Sequence, residues 1–247
     1  MGKLSKEKIT KFIAINIPNF HKRRLESLAG LKLERVLKRK NPYLFKAKNV
    51  ETADVLVRHL LDAHLSSQEE TVFGEFLERL AIFVCEAVYE GRKSNAEGID
   101  LEFDRDGARY LVSIKSGPNW GNSSQIKKMR DYFRQARKIF GSKRHMVPIN
   151  GCCYGKGSRS YGDYDKLCGQ RFWELISGDT NMYLEIVEPL GHQARVRNEE
   201  FGKEYAKVTN RFIAEFIRGF CEEDGAINWN KVVAFNSSSE VSRRKKS

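Results

Sequence analysis

Between Gly98 and Lys115 apolar and polar side chains alternate almost one for one, while over much of the remaining chain apolar residues recur every three or four positions. The first period belongs to β-strands and the second to helices. Residues 3–40 are basic and helical in pattern, with Pro18 expected to break them. Ala53 to Ala63 has helical periodicity. Ser67-Gln68-Glu69-Glu70 fits a capping box opening a long helix to about Tyr89, with Phe73, Phe76, Leu77, Leu80, Val84 and Val88 as its apolar stripe. Gly91 to Gly98 reads as a polar loop, followed by a β-hairpin and a second loop, Ser116 to Asn122. Ser123 or Ser124 can cap a helix to about Phe140, stopped by Gly141. His145 to Tyr154 reads as a strand and Gly155 to Gly162 as a loop. Two or more helices complete the chain, the clearest from Asn198 to Cys221.

The hairpin carries the most information. Ile99, Leu101 and Phe103 are apolar, whereas Asp100 and Glu102 are not. After the turn, Tyr110, Val112 and Ile114 are apolar, and Arg109, Ser113 and Lys115 fall on the other face, with Leu111 the one exception. Asp104-Arg105-Asp106-Gly107 contains Asp-Gly, the strongest short-range hairpin signal. Closing there sets even positions of the first strand against odd positions of the second. A one-residue slip would bury Asp100 and expose Ile114, so the pattern pins the register. Asp100, Glu102, Ser113 and Lys115 then share a polar face. Two carboxylates and a lysine so placed suit a divalent metal and phosphodiester hydrolysis. A hard cation such as Mg²⁺ takes oxygen ligands, usually one or two of them carboxylates. It lowers the pKa of a bound water, and a nearby lysine can orient that water or neutralise developing charge. The plainer alternative is a surface Asp/Lys pair across strands.

Charge points to the substrate. The 247 residues hold 44 Lys and Arg against 32 Asp and Glu, a net charge of +12. That balance suits nucleic acid or an anionic surface, and 40% hydrophobic content argues for a globular chain. No run approaches the ~20 apolar residues of a membrane span. Asn16 and Pro18 break the early apolar stretch against a signal peptide, and Lys6 stands where a myristoylation pattern wants Ser or Thr. A cytoplasmic protein is expected. The five cysteines lack Cys-x-x-Cys spacing, against a disulfide frame or zinc site. Cys85 and Cys221 read as small buried hydrophobes and Cys152-Cys153 as strand core. His145, near Lys143 and Arg144, could touch phosphate or be an ordinary surface residue.

With these residues in place the segment resembles the PD-(D/E)XK nuclease superfamily. Asp100 matches its first acid and Ser113-Ile114-Lys115 its triplet, with Ser113 where Asp or Glu is expected. Some restriction endonucleases of the superfamily also carry Ser-X-Lys and draw the missing carboxylate from elsewhere. The flanks Asn41-Pro42-Tyr43-Leu44-Phe45-Lys46-Ala47-Lys48, Lys115-Ser116-Gly117-Pro118-Asn119-Trp120-Gly121-Asn122-Ser123 and Gly169-Gln170-Arg171-Phe172-Trp173-Glu174 look like a type II restriction endonuclease, with a subgroup cutting GGNCC-type sites in view. The resemblance covers roughly residues 40–180. It implies an α/β (α+β) fold with a central mixed sheet flanked by helices, Mg²⁺ (Mn²⁺ substituting), a homodimer on a short palindromic double-stranded DNA site, and a companion methyltransferase. Asp100, the Ile114 carbonyl and one further acid would hold the metal, and Lys115 would position water. For that acid, Glu78 ranks first, in Gly74-Glu75-Phe76-Leu77-Glu78, which resembles the superfamily's helix motif. Glu102 ranks second and Asp131, on the following helix, third. One nuclease domain is expected over 1–236: a helical N-terminal part to about 65, a catalytic core at about 66–180 and a helical C-terminal part at about 181–236. A basic disordered tail, 237–247, follows.

Two segments look built for DNA. The loop after Lys115 offers Ser116, Asn119, Trp120, Asn122, Ser123 and Gln125, with small residues and a helix N-terminus that favour phosphate. Its plainer reading is a turn with Trp120 packed on the core. The second, Tyr154-Gly155-Lys156-Gly157-Ser158-Arg159-Ser160-Tyr161, lacks a Walker-A pattern and could clamp phosphate through Lys156 and Arg159, or simply carry surface charge. The basic face of the helix over 124–140 is more often solvated than a groove reader. Two other functions fit: a repair, structure-specific or RNA-cutting nuclease of the same superfamily, or a nucleic-acid-binding protein whose site has decayed at Ser113.

Overall fold

The computed structural model describes residues 4–140, 145–191 and 194–239. Helices α1 (Lys6–Ala29), α2 (Leu33–Leu37), α3 (Pro42–Ala47) and α4 (Ala53–Tyr89) come first. The hairpin β1 (Leu101–Arg105) and β2 (Ala108–Lys115) leads through α5 (Ser123–Phe140) to β3 (His145–Cys152). Strands β4 (Arg159–Ser160) and β5 (Asp165–Cys168) follow, then α6 (Gln170–Ser177), α7 (Met182–Glu185), α8 (Val187–Leu190), α9 (Ala194–Phe220) and α10 (Trp229–Ser237). The expected Gly141 stop and residues 240–247 of the expected tail lie outside the described residues.

The chain divides into two compact units, one of residues 1–20 and 70–195, the other of 21–69 and 196–247. The first holds a mixed five-stranded sheet in the order β1-β2-β3-β5-β4, with β2, β3 and β5 parallel and both edge strands antiparallel to their neighbours. The central mixed sheet with flanking helices is the α+β architecture read from the sequence. One face packs on Ile9, Ile13 and Ile17 of α1, Phe76, Leu80 and Val84 of α4, and Phe172 and Trp173 of α6. The other face is covered by α5 through Met129, Phe133 and Ala136, which close on Leu111 and Met146.

The hairpin closes as its alternation requires. Leu101 pairs with Val112 and Phe103 with Tyr110. Asp106 and Gly107 take φ of 52° and 76°, the positive values at both central positions that a two-residue type I′ turn needs. Leu111, the exception on the polar face, anchors the second core under α5. Ile99 belongs with it, on that side and not with Leu101 and Phe103. The polar face is therefore partly roofed: Glu102 and Ser113 are only 4% and 2% exposed.

Four local expectations differ from the fold. Pro18 does not break α1, which runs through it. An interior proline costs about 3 kcal/mol, and burial of Ile9, Ile13 and Ile17 to 5% exposure or less offsets that. Ser67-Gln68-Glu69-Glu70 opens no helix but lies inside α4. In the second unit, Gln68 and Glu69 instead meet Ser27 and Arg24, the latter at 2.6 Å. The loop expected over Gly155 to Gly162 contains the short β4, and β5 follows it. The helix expected from Asn198 begins earlier, as α9.

The second unit is helical. Leu28, Leu33, Val36, Phe45, Leu56, Leu60 and Leu61 pack with Val208, Phe212 and Phe216. Asn41 caps α3, its Oδ1 accepting the Tyr43 and Leu44 N–H groups, and Pro42 follows at a first-turn position that tolerates it.

Candidate active site

Asp100 and Lys115 meet at the open end of the hairpin. Asp100 stands one residue before β1, where its N–H still donates to Val112 O at 2.9 Å. Its Oδ2 accepts the Ile114 backbone N–H at 2.6 Å and lies 3.8 Å from Lys115 Nζ. Lys115 ends β2, and its Nζ also donates to Ile114 O at 2.9 Å. Burial pushes the Asp100 carboxyl above its ordinary value, opposed by Lys115, the Ile114 N–H and Lys93. A partly desolvated carboxylate beside a lysine is the sort of perturbed acid that marks functional sites.

Glu78 of α4 joins this pair electrostatically. Burial raises its pKa first, and the negative charge of Asp100 raises it further, while Lys93 and Lys115 pull it down. Lys93, from the loop after α4, lies 3.5 Å from Glu78 Oε1. Two carboxylates and two lysines thus gather where α4, the loop and the hairpin converge. Gly74, one turn before Glu78, faces Ser116: an added Cβ would lie 3.5 Å from the Ser116 Cβ, an ordinary van der Waals contact.

The other two acids stand elsewhere. Glu102 is engaged by Arg92 at 2.7 Å and Ser94 at 2.9 Å, and its backbone pairs with Arg92. Asp131 pairs with Arg134 on its own helix. Among the described residues no group of three or more His, Cys, Asp or Glu could hold a metal. The oxygen donors in this region are the Asp100 carboxylate, Ile114 O beside Lys115 Nζ, and the Glu78 carboxylate, which feels the charge of Asp100. Two repelling carboxylates and a carbonyl, completed by water, fit Mg²⁺ or Mn²⁺, which need few protein ligands.

The proposed DNA contacts separate into engaged and open side chains. Asn122 Oδ1 accepts the Gln125 N–H at 3.1 Å while Gln125 Oε1 accepts the Asn122 N–H at 2.9 Å. This reciprocal pair caps α5, so Asn122 takes the place expected of Ser123 or Ser124. Trp120 donates from Nε1 to Asn150 Oδ1 at 3.0 Å. Ser116 is half-buried, and Asn119 and Ser123 are exposed. Lys156 lines a cavity of about 770 Å³ with Phe73, Tyr154, Trp173 and Tyr183. Arg159 lies over the Tyr161 ring at 5.5 Å. His145 is exposed at the start of β3. All five cysteines are free and buried; burial pushes Cys152 up to about 12.

Sequence reasoning missed Lys93 and Asn150. Asn150 is the polar residue inside the apolar run Met146 to Cys152, a usable signal; Lys93 in a polar loop gave none.

A mixed sheet with an acid before one strand and a lysine ending the next is the arrangement expected of a nuclease of the PD-(D/E)XK kind. The profile of the type II restriction endonuclease EcoO109I family matches residues 7–198. The chain belongs to that family, and so to the DNA nucleases. Comparison with curated proteins returned no match. Among the described residues no helix is long and apolar enough to cross a membrane.

Proposed function

We propose that the protein is a Mg²⁺-dependent restriction endonuclease that hydrolyses both strands of DNA at a short palindromic site, of the GGNCC type. It acts as a homodimer in the cytoplasm and alongside a methyltransferase that protects the same site. The observation that carries this reading is the meeting of Asp100 and Lys115, with Lys115 Nζ 3.8 Å from Asp100 Oδ2, beside Glu78, which is pushed up by burial and then by the charge of Asp100.

Asp100, Glu78 and Ile114 O would hold the cation. When bound, it supplies Lewis acidity at the scissile phosphate and a more acidic water. Lys115 would orient the attacking water and neutralise charge growing on the phosphate oxygens. Glu78 takes the part that Asp or Glu would play at Ser113. Ser116, Asn119 and Ser123 offer polar groups to the DNA backbone beside Lys115, and Lys156 and Arg159 offer charge to phosphate.

The test is digestion of a sequenced, unmethylated plasmid with Mg²⁺, with the ends mapped. Discrete fragments ending at one palindrome support the reading. No cleavage with Mg²⁺ or Mn²⁺, or preference for RNA or junctions, overturns it. Sedimentation of the protein on a duplex holding one site tests the dimer.

A further inference from the structure

We infer that Trp120 is a positioning residue for Lys115 and that Asn150 holds Trp120 in place for that task. The inference rests on Lys115 acting in cleavage as proposed above. Lys115 Nζ lies 5.0 Å from the centre of the Trp120 ring, within reach of cation–π attraction. The indole Nε1–H donates to Asn150 Oδ1 at 3.0 Å. Asn150 is only 1% exposed, and its Nδ2 donates to Ser113 O at 3.4 Å, on the strand that carries Lys115. One buried amide therefore ties the ring to β2 through both its ends, and such a network fixes orientation. Lys166 Nζ holds the same loop by donating to Pro118 O at 2.6 Å.

Lysine needs such a holder because its charge sits on a flexible four-carbon stem. Among the described residues, the Lys115 ammonium contacts Asp100 Oδ2, Ile114 O and the indole face. The first two are the oxygens that would hold the metal, so on metal binding the ammonium would lose both and meet a like charge. The ring is the one of these partners that the cation leaves alone. Trp120 thus keeps the Lys115 ammonium at the site when its oxygen partners turn elsewhere.

The experiment compares Trp120→Phe with Trp120→Met. Both lose the hydrogen bond to Asn150, and only Phe keeps an aromatic face, so their difference isolates the ring. In the full-length protein, the Lys115 ε-methylene NMR signal, assigned with Lys115→Arg, is expected furthest upfield in the wild type, less so in Trp120→Phe, whose ring has lost its tie to Asn150, and not upfield in Trp120→Met. The single-turnover rate with Mg²⁺ is expected to be about tenfold lower in Trp120→Met than in Trp120→Phe, at equal affinity for a cognate duplex in Ca²⁺. Equal signals and equal rates overturn the inference, as does a loss confined to affinity, which makes Trp120 a DNA contact. Asn150→Ser tests the same point with the indole intact: the upfield shift and the rate are expected to fall, and no change in either overturns the role of Asn150. Wild-type cleavage by Lys115→Ala would refute the lysine's part in the proposed function, while the NMR signal still reports whether the indole holds it.

Discussion

The Asp100 carboxylate accepts the backbone N–H of Ile114 at 2.6 Å, so the first acid of the proposed site is also a brace across the mouth of the hairpin. Catalysis and folding can be separated by two substitutions. Asp100→Asn keeps an acceptor for that N–H; Asp100→Ala removes it, and an unsatisfied buried donor costs about 1–3 kcal/mol. Both are expected to abolish cleavage, as is Lys115→Ala, with cognate binding in Ca²⁺ largely kept. Only Asp100→Ala should melt clearly lower. Full Mg²⁺-dependent cleavage by any of the three would sink the assignment.

Glu78 gives a pH prediction with a definite sign. Its folded pKa is raised, by burial and then by Asp100. The folded state therefore binds more protons than the unfolded one between the ordinary carboxylate pKa and the raised value. Stability must fall as pH rises through that window. Glu78→Gln removes the penalty, so it is expected to raise Tm at neutral pH, and the gain should vanish on acidification below the ordinary carboxylate range. Thermal melts of both proteins from pH 3.5 to 8 check this; a lower Tm for the variant at pH 7 contradicts it. Because a protonated Glu78 cannot ligate, Mn²⁺ affinity should also decline on acidification at a pH above the ordinary Glu value.

The rival acid separates from Glu78 by phenotype. Glu102 is 4% exposed and serves Arg92 and Ser94. Glu102→Gln is expected to lower stability by about 1–3 kcal/mol and to leave kcat within a few-fold of wild type. Glu78→Gln should do the reverse, losing cleavage and Mn²⁺ binding while remaining folded. Calorimetric Mn²⁺ titration beside thermal melts decides it: loss of Mn²⁺ binding in Glu102→Gln alone moves the second acid to the hairpin.

The hairpin was legible because two signals agreed, the alternation from Ile99 to Lys115 and the Asp-Gly turn with both φ positive. Leu111 broke the alternation because α5 covers that side of the sheet and buries it with Met129 and Phe133, a long-range contact that local pattern does not encode. Face assignment failed at Ile99 because it lies before β1, where strand alternation no longer fixes direction. Strand β5 was illegible: Asp165-Lys166-Leu167-Cys168 is short and half polar, and it exists because β3 and β4 supply its partners. Local signals also lost to tertiary ones at Pro18 and Ser67. At the site, Asp100 and Lys115 could be paired from register alone. Glu78 needed the fold, since helical phase says which side of α4 it occupies but not what that side meets.

Asn122 and Gln125 test whether a polar side chain beside the site serves the helix or the DNA. Each accepts the other's backbone N–H, a reciprocal cap that satisfies two of the N–H groups a helix start leaves open. Asn122→Ala is expected to cost about 1 kcal/mol, whereas Asn122→Asp keeps the acceptor and adds a negative charge that the α5 N-terminus favours. The expected melting order is therefore Asp equal to or above wild type, with Ala below. Below the melting range Asn122→Ala should bind and cut cognate DNA as wild type does, since its side chain is already committed to the cap. Equal melting with weakened binding would instead make Asn122 a DNA contact and the cap incidental.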